Sequence, residues 1–261
     1  MKQSYFPLGV VAATVFGALI GMVLRIYQIG NCMDANGLIR VGNPILYILL
    51  AVSVLFVALI ALLCSKLNRS LGSENDLCAT PVFLFADLVG AVCIFYGALQ
   101  RLIDGGSLFL FIGGMEAALF FAAAALLYGK RSKVVVWLLL LCCLFFAGQL
   151  IYDFKHWSTD PQVIDFCFRL LAQVSGMLAL LHLSSFLLSY GHKRITIFWS
   201  ACTVMFTLML LPDLIIAKSI TIGEFMIPLG TAIWCGSHAL RLLRSAVQEE
   251  DVSAASDEEE A

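Results

Sequence analysis

PQVIDFCFRLLAQVSGMLALLHLSSFLLSY, residues 161–190, is the stretch that decides the fold. It is an apolar run interrupted near its start by Asp165, Arg169 and Gln173. Their four-residue spacing places all three on one helix face within about 80° of arc, and Gly176 continues the stripe. The acid precedes the base, which is the better orientation for a pair one turn apart. A segment of this length and composition crosses ~30 Å of hydrocarbon as a helix. Charged side chains inside such a segment are expensive unless they face protein or water. The stripe therefore marks a polar interior, and other helices must surround it.

The rest of the 261-residue chain supplies them. It is 61% hydrophobic and 13% charged, with a mean hydropathy of +0.94. These values exclude a soluble globular domain and point to a polytopic membrane protein of a cell membrane, of the bacterial plasma-membrane kind. The formal net charge is -2, yet seven acids and no base lie between Glu249 and Glu260, which leaves the body at +5. Such a small basic excess gives no reason to expect nucleic acid as a partner. Seven of the nine cysteines (64, 93, 142, 143, 167, 202 and 235) fall in apolar spans, where a thiol packs as a small hydrophobe. No C-x-x-C pair occurs, so neither a structural disulfide nor a zinc site is expected.

Turn residues and charges divide the body, 1–244, into eight spans: about 7–27, 44–64, 81–103, 107–128, 133–152, 162–190, 195–211 and 221–242. Asn43-Pro44, Thr80-Pro81 and Asp160-Pro161 each combine a capping residue with a proline at the helix start, where its missing N–H costs nothing. The fold class expected is all-α, a polytopic bundle of about eight transmembrane helices. Ten of the lysines and arginines gather at the connections of one side and five on the other. The positive-inside rule then puts both termini in the cytoplasm. Lys2 and the apolar run to Leu24 are read as a retained first helix rather than a cleaved signal. Residues 245–261, SAVQEEDVSAASDEEEA, repel one another and offer little to bury, so a disordered acidic tail is expected there.

Within the spans, Gly9, Ala13, Gly17 and Gly21 form a flat ridge suited to close helix approach, read as intramolecular packing. Pro228 interrupts the last span and displaces the carbonyl of Glu224. In the first external connection, Asp34-Ala35-Asn36-Gly37 reads as a tight turn.

The ionisable residues of the spans are not evenly spread. Arg25, Arg101, Asp104, Glu116, Asp165, Arg169 and Glu224 all fall in the expected outer half, and only Asp87 in the inner. Glu116, Asp165, Arg169, Gln173, Arg101 and Glu224 are accordingly the candidate ligand-binding residues. Glu116 has no base within a turn on its own helix, and Arg169 is its simplest expected partner. Arg25 is expected to snorkel to headgroups, Arg101 to pair with Asp104, and Glu224 to form a capping box with Thr221. No G-x-S-x-G elbow or paired-histidine metal motif occurs, so no catalytic residue, metal or cofactor is expected. The function expected is a transporter-like or receptor-like bundle holding a small polar solute in an outward-facing cavity. A structural or regulatory subunit packed against a membrane protein partner is the alternative, and an intramembrane enzyme the third reading. The lipid bilayer is a partner in every case.

Overall fold

The computed structural model describes residues 5–32, 44–67, 71–72, 80–127, 133–157, 167–186 and 191–259. It is a helical bundle: α1 (Tyr5–Asn31), α2 (Ile45–Lys66), α3 (Pro81–Ile103), α4 (Leu108–Leu127), α5 (Lys133–Trp157), α6 (Cys167–Phe186), α7 (Lys193–Met209) and α8 (Ile222–Glu259). Among the described residues, seven of these helices are long and apolar enough to cross a membrane. The eighth, α8, falls short because it carries Glu224, Ser237, His238 and Arg241, and these are affordable only because it runs through the bundle, packed by α3, α7 and α6. A helix facing lipid must be apolar all round, whereas one shielded by its neighbours can bring polar groups to each other. The same contrast separates α2, the most apolar and least buried span, from α6 and α7.

Consecutive helices mostly pack antiparallel, as short connections require, and the glycine at 105 takes a positive φ of 88° to turn α3 into α4. The two most extensive pairings between helices not adjacent in sequence are α1 with α7 and α3 with α8. Along α1 and α7, Gly17 meets Met205, Gly21 meets Met209 and Arg25 meets Asp213, a parallel register advancing four residues per step on both helices. The glycine ridge is thus spent inside the molecule, between α7 and the α2 side chains of Phe56 and Leu63. The other pairing is α3 with α8, antiparallel and very close. A Cβ on Gly90 would lie 2.8 Å from the carbonyl oxygen of Gly230, and one on Gly97 2.9 Å from that of Gly223.

Several boundaries differ from the sequence reading. α5 extends beyond residue 152 to Trp157, which brings Asp153 inside the helix. α7 is followed by a π-helical turn, Asp213–Ala217, ended by Lys218 in the left-handed region at φ 52°. The chain past residue 244, expected to be disordered, continues α8 as helix to Glu259. Propagation from an existing helix adds one hydrogen bond per residue fixed, and alanine, glutamate and glutamine accept it readily. Leu71–Gly72 and Gly191–His192 add a short antiparallel bridge, β1 to β2, between two connections. The Asn36-Gly37 turn and the Asp160-Pro161 start lie outside the described residues.

The middle of the bundle is aromatic. Trp234 of α8 packs on Phe121 of α4 with ring centroids 4.7 Å apart, and Phe146 of α5 meets Phe121 at 6.4 Å. This apolar layer separates two charged ones.

Candidate functional site

The larger charged layer is built by the C-terminal turns of α3 and α5 and the N-terminal turns of α6 and α8. Asp153 is its hub. Its Oδ1 accepts from Arg101 Nη2 at 2.9 Å, and its Oδ2 accepts from Gln173 Nε2 at 2.8 Å and lies 3.4 Å from Arg169 Nη2. Arg169 Nη1 reaches on to Glu224 Oε1 at 2.9 Å. The result is a linked series of alternating sign, Arg101, Asp153, Arg169, Glu224, whose four charges sum to zero. Burial of that many charges in a membrane bundle is tolerable only with such mutual compensation.

Glu224 has a second task. Its Oε2 accepts from the backbone N–H of Thr221 at 2.9 Å, while Thr221 Oγ1 accepts from the N–H of Glu224 at 3.2 Å. This is the capping box expected from the sequence, and it fixes the carboxylate at the start of α8.

The layer grades inward. The Glu224 side chain is 23% exposed and that of Arg101 13%, whereas Asp153 and Arg169 are both sealed at 3%. One turn deeper on α5, on the same buried stripe as Leu139, Cys142 and Phe146, stands Gln149. Gln149 is fully buried, and neither its amide oxygen nor its amide nitrogen has a hydrogen-bond partner among the described residues. The Oε1 of Gln173 on α6 is likewise unpartnered. Two acceptors and one donor group are therefore held in a desolvated place, at a cost of about 1–3 kcal/mol each. Below Gln149 the polar column ends against Phe146 and the aromatic layer.

Of the six residues proposed from sequence, the fold brings four together: Arg101, Arg169, Gln173 and Glu224. Asp165 lies outside the described residues. Glu116 goes elsewhere. It lies on the exposed face of α4 with Phe109, Ile112 and Leu119, while Arg169 is engaged by Asp153 and Glu224. Arg101 also chooses Asp153, and Asp104 accepts instead from Gln100 Nε2 at 3.2 Å. Glu116→Leu is consequently expected to leave the polar layer intact and to favour the membrane-embedded state by about 2–3 kcal/mol. The check is the unfolding midpoint in lipid bicelles; a loss of stability there would mean that the carboxylate faces protein.

Sequence reasoning missed the hub because the fifth span was ended at residue 152. The signal was present in Gln149 and Asp153, which sit one turn apart and share a face as Arg169 and Gln173 do.

Two further clusters hold buried charge. Arg25, expected at the headgroups, is buried at 2% and turned inward. Its Nε and Nη2 donate to Asp213 Oδ1 at 3.0 and 2.7 Å, and its Nη1 donates to Gln28 Oε1 at 2.8 Å. Asp213 can reach it because the π-helical turn re-aims the end of α7. At the opposite end of the α3–α8 pair, the buried Asp87 accepts from Ser237 Oγ and Arg241 Nη2, with His238 Nδ1 3.6 Å away. Arg241 also lies 5.1 Å from the centre of the Phe83 ring. His238 Nδ1 is 2.8 Å from the carbonyl oxygen of Trp234, and its ring stacks on that indole at 3.9 Å.

Among the described residues no group of histidines, cysteines and acids is arranged to hold a metal ion. Comparison with protein-family models, with characterised proteins and with solved structures gives no match. Fold and site together define a class: a helical membrane bundle with a buried, charge-compensated polar interior.

Proposed function

We propose that this chain is a multi-pass membrane protein of the transporter or receptor kind, which binds a small polar solute in the interior between α3, α5, α6 and α8. The observation that carries the reading is Gln149, whose buried amide has no partner among the described residues, at the inner end of a column that grows more exposed toward Arg101 and Glu224. Buried amides left unsatisfied are rare, and a bound polar molecule would supply the missing hydrogen bonds. The two orphan carbonyl oxygens call for a donor and the amide nitrogen for an acceptor, so a solute bearing both is favoured.

The two charged layers support the same reading. One closes each end of the α3–α8 pair, the aromatic layer stands between them, and Pro228 interrupts α8 on the path from one to the other. Opening one layer while the other stays shut would give access from a single side. The lysine and arginine distribution makes the Arg101–Glu224 layer the outward one.

The test uses single cysteines in a cysteine-free background, at positions 149 and 173, with one at the exposed position 104 as reference. A membrane-impermeant thiol reagent is added to intact cells. Labelling at 173 and 149, slower than at 104, is the expected result. Complete protection of both while 104 reacts would exclude an external solute path.

A second reading has one observation in its favour. Among the described residues Glu116 is an acid without an ion-pair partner, on an otherwise apolar exposed face that a membrane protein partner could cover. In that case Glu116→Leu would remove an assembly and leave labelling at 149 and 173 unchanged.

A further inference from the structure

The bundle surface carries an apolar crevice on the side away from α5. One part, of about 160 Å³, runs between α1, α7 and α8 and is lined by residues such as Val11, Ala201 and Leu243. A second part, of about 390 Å³, runs between α3, α7 and α8 past Ala86 and Leu229. The two share Val204, Gly236 and Leu240. Gly236 makes the junction, since even a Cβ there would come within 3.2 Å of Val204 Cγ2.

Two polar features sit at the end of this crevice where α8 leaves the bundle. Arg244 is exposed, lies one turn beyond Leu240 on the same face of α8, and has no ion-pair partner among the described residues. Ser200, in the wall of the smaller part, is fully buried, and its Oγ has no hydrogen-bond partner among the described residues. Because α7 and α8 run antiparallel with Val204 beside Gly236, Ser200 is level with Leu240. It therefore lies about 6 Å deeper than Arg244.

We propose that this crevice is a binding site for an anionic glycerophospholipid. Its phosphate pairs with Arg244, an ester carbonyl accepts the hydroxyl hydrogen of Ser200 one turn below, and its two acyl chains follow the two arms that meet at Gly236. The occupant is a lipid because the walls are membrane helices and are nearly all apolar, while the positively charged Arg244, exposed and without an ion-pair partner among the described residues, stands at the mouth. That charge distinguishes an anionic headgroup from a zwitterionic one, whose own ammonium offsets the attraction.

The experiment measures lipid retention by native mass spectrometry on the purified full chain in mild detergent, with phosphatidylglycerol and phosphatidylcholine of identical acyl chains. Wild type should retain phosphatidylglycerol about fivefold more tightly, the effect of one arginine near an anionic phosphate. Arg244→Gln should abolish the preference without changing the fold, since the side chain is exposed and has no ion-pair partner among the described residues. Leu240→Trp, which fills the mouth from an exposed position, should reduce retention of both lipids, as should Gly236→Leu. Equal retention of the two lipids by wild type, or a preference that survives Arg244→Gln, would overturn the proposal. So would phosphatidylglycerol retention undiminished by Leu240→Trp, because the headgroup would then bind without the crevice.

Discussion

Asp153→Ala is expected to destabilise the folded bundle by about 3–5 kcal/mol, the cost of stranding buried charges that had been paired. The substitution takes one carboxylate away from Arg101, Arg169 and Gln173 at once. Glu224 remains, but it can compensate only one of the two guanidinium groups, and Arg169 is buried at 2%. A double variant, Asp153→Ala with Arg169→Ala, should recover part of the loss because it removes a charge of each sign. Unfolding midpoints in mixed micelles across increasing dodecyl sulfate would give both values. Should the single variant unfold at the wild-type midpoint, the layer is solvated and its charges owe nothing to one another.

The second large effect belongs to the α3–α8 seam. Gly90→Ala and Gly97→Ala each place a methyl group against the backbone of the facing helix, 2.8 Å from the carbonyl oxygen of Gly230 and 2.9 Å from that of Gly223. Backbone cannot rotate aside as a side chain does, so the helices must separate. Overpacking of this kind costs about 1–3 kcal/mol. The two positions are seven residues and about 10 Å apart, so the costs should nearly add, to about 4 kcal/mol in the double variant. No helix-propensity gain offsets this, since a separated membrane helix remains helical in lipid. The same variant has a second readout. Separation of α3 from α8 pulls Arg101 away from Glu224 at one end and Asp87 away from Arg241 at the other, so thiol labelling at position 173 should accelerate. A double variant as stable and as protected as wild type would show that the seam has slack.

Much of the architecture was readable from local pattern. Pro81 does begin α3, Thr221 and Glu224 do form their box, and Arg169, Gln173 and Gly176 do share the buried face of α6. Each depends on a few residues of one helix, and geometry within a helix follows from spacing alone. The position of Glu116 could not be read in this way. It sits in a run of glycine, alanine and phenylalanine that is equally apolar on both sides, and only its neighbours decide which side is exposed.

That is the general division in this protein. Local pattern reveals what hydrocarbon demands of a chain: long apolar helices, their small-residue ridges, and the presence of charges that must find compensation. Which helix supplies the compensation was decided by the tertiary structure alone. Asp153 for Arg101 and Arg169, Asp213 for Arg25, and Arg241 for Asp87 are partners separated by up to 188 residues. In water, an amphipathic pattern announces the buried face of each helix. In lipid the surroundings are as apolar as the core, so that contrast fades, and contact between helices is settled by shape and by the pairing of buried charge.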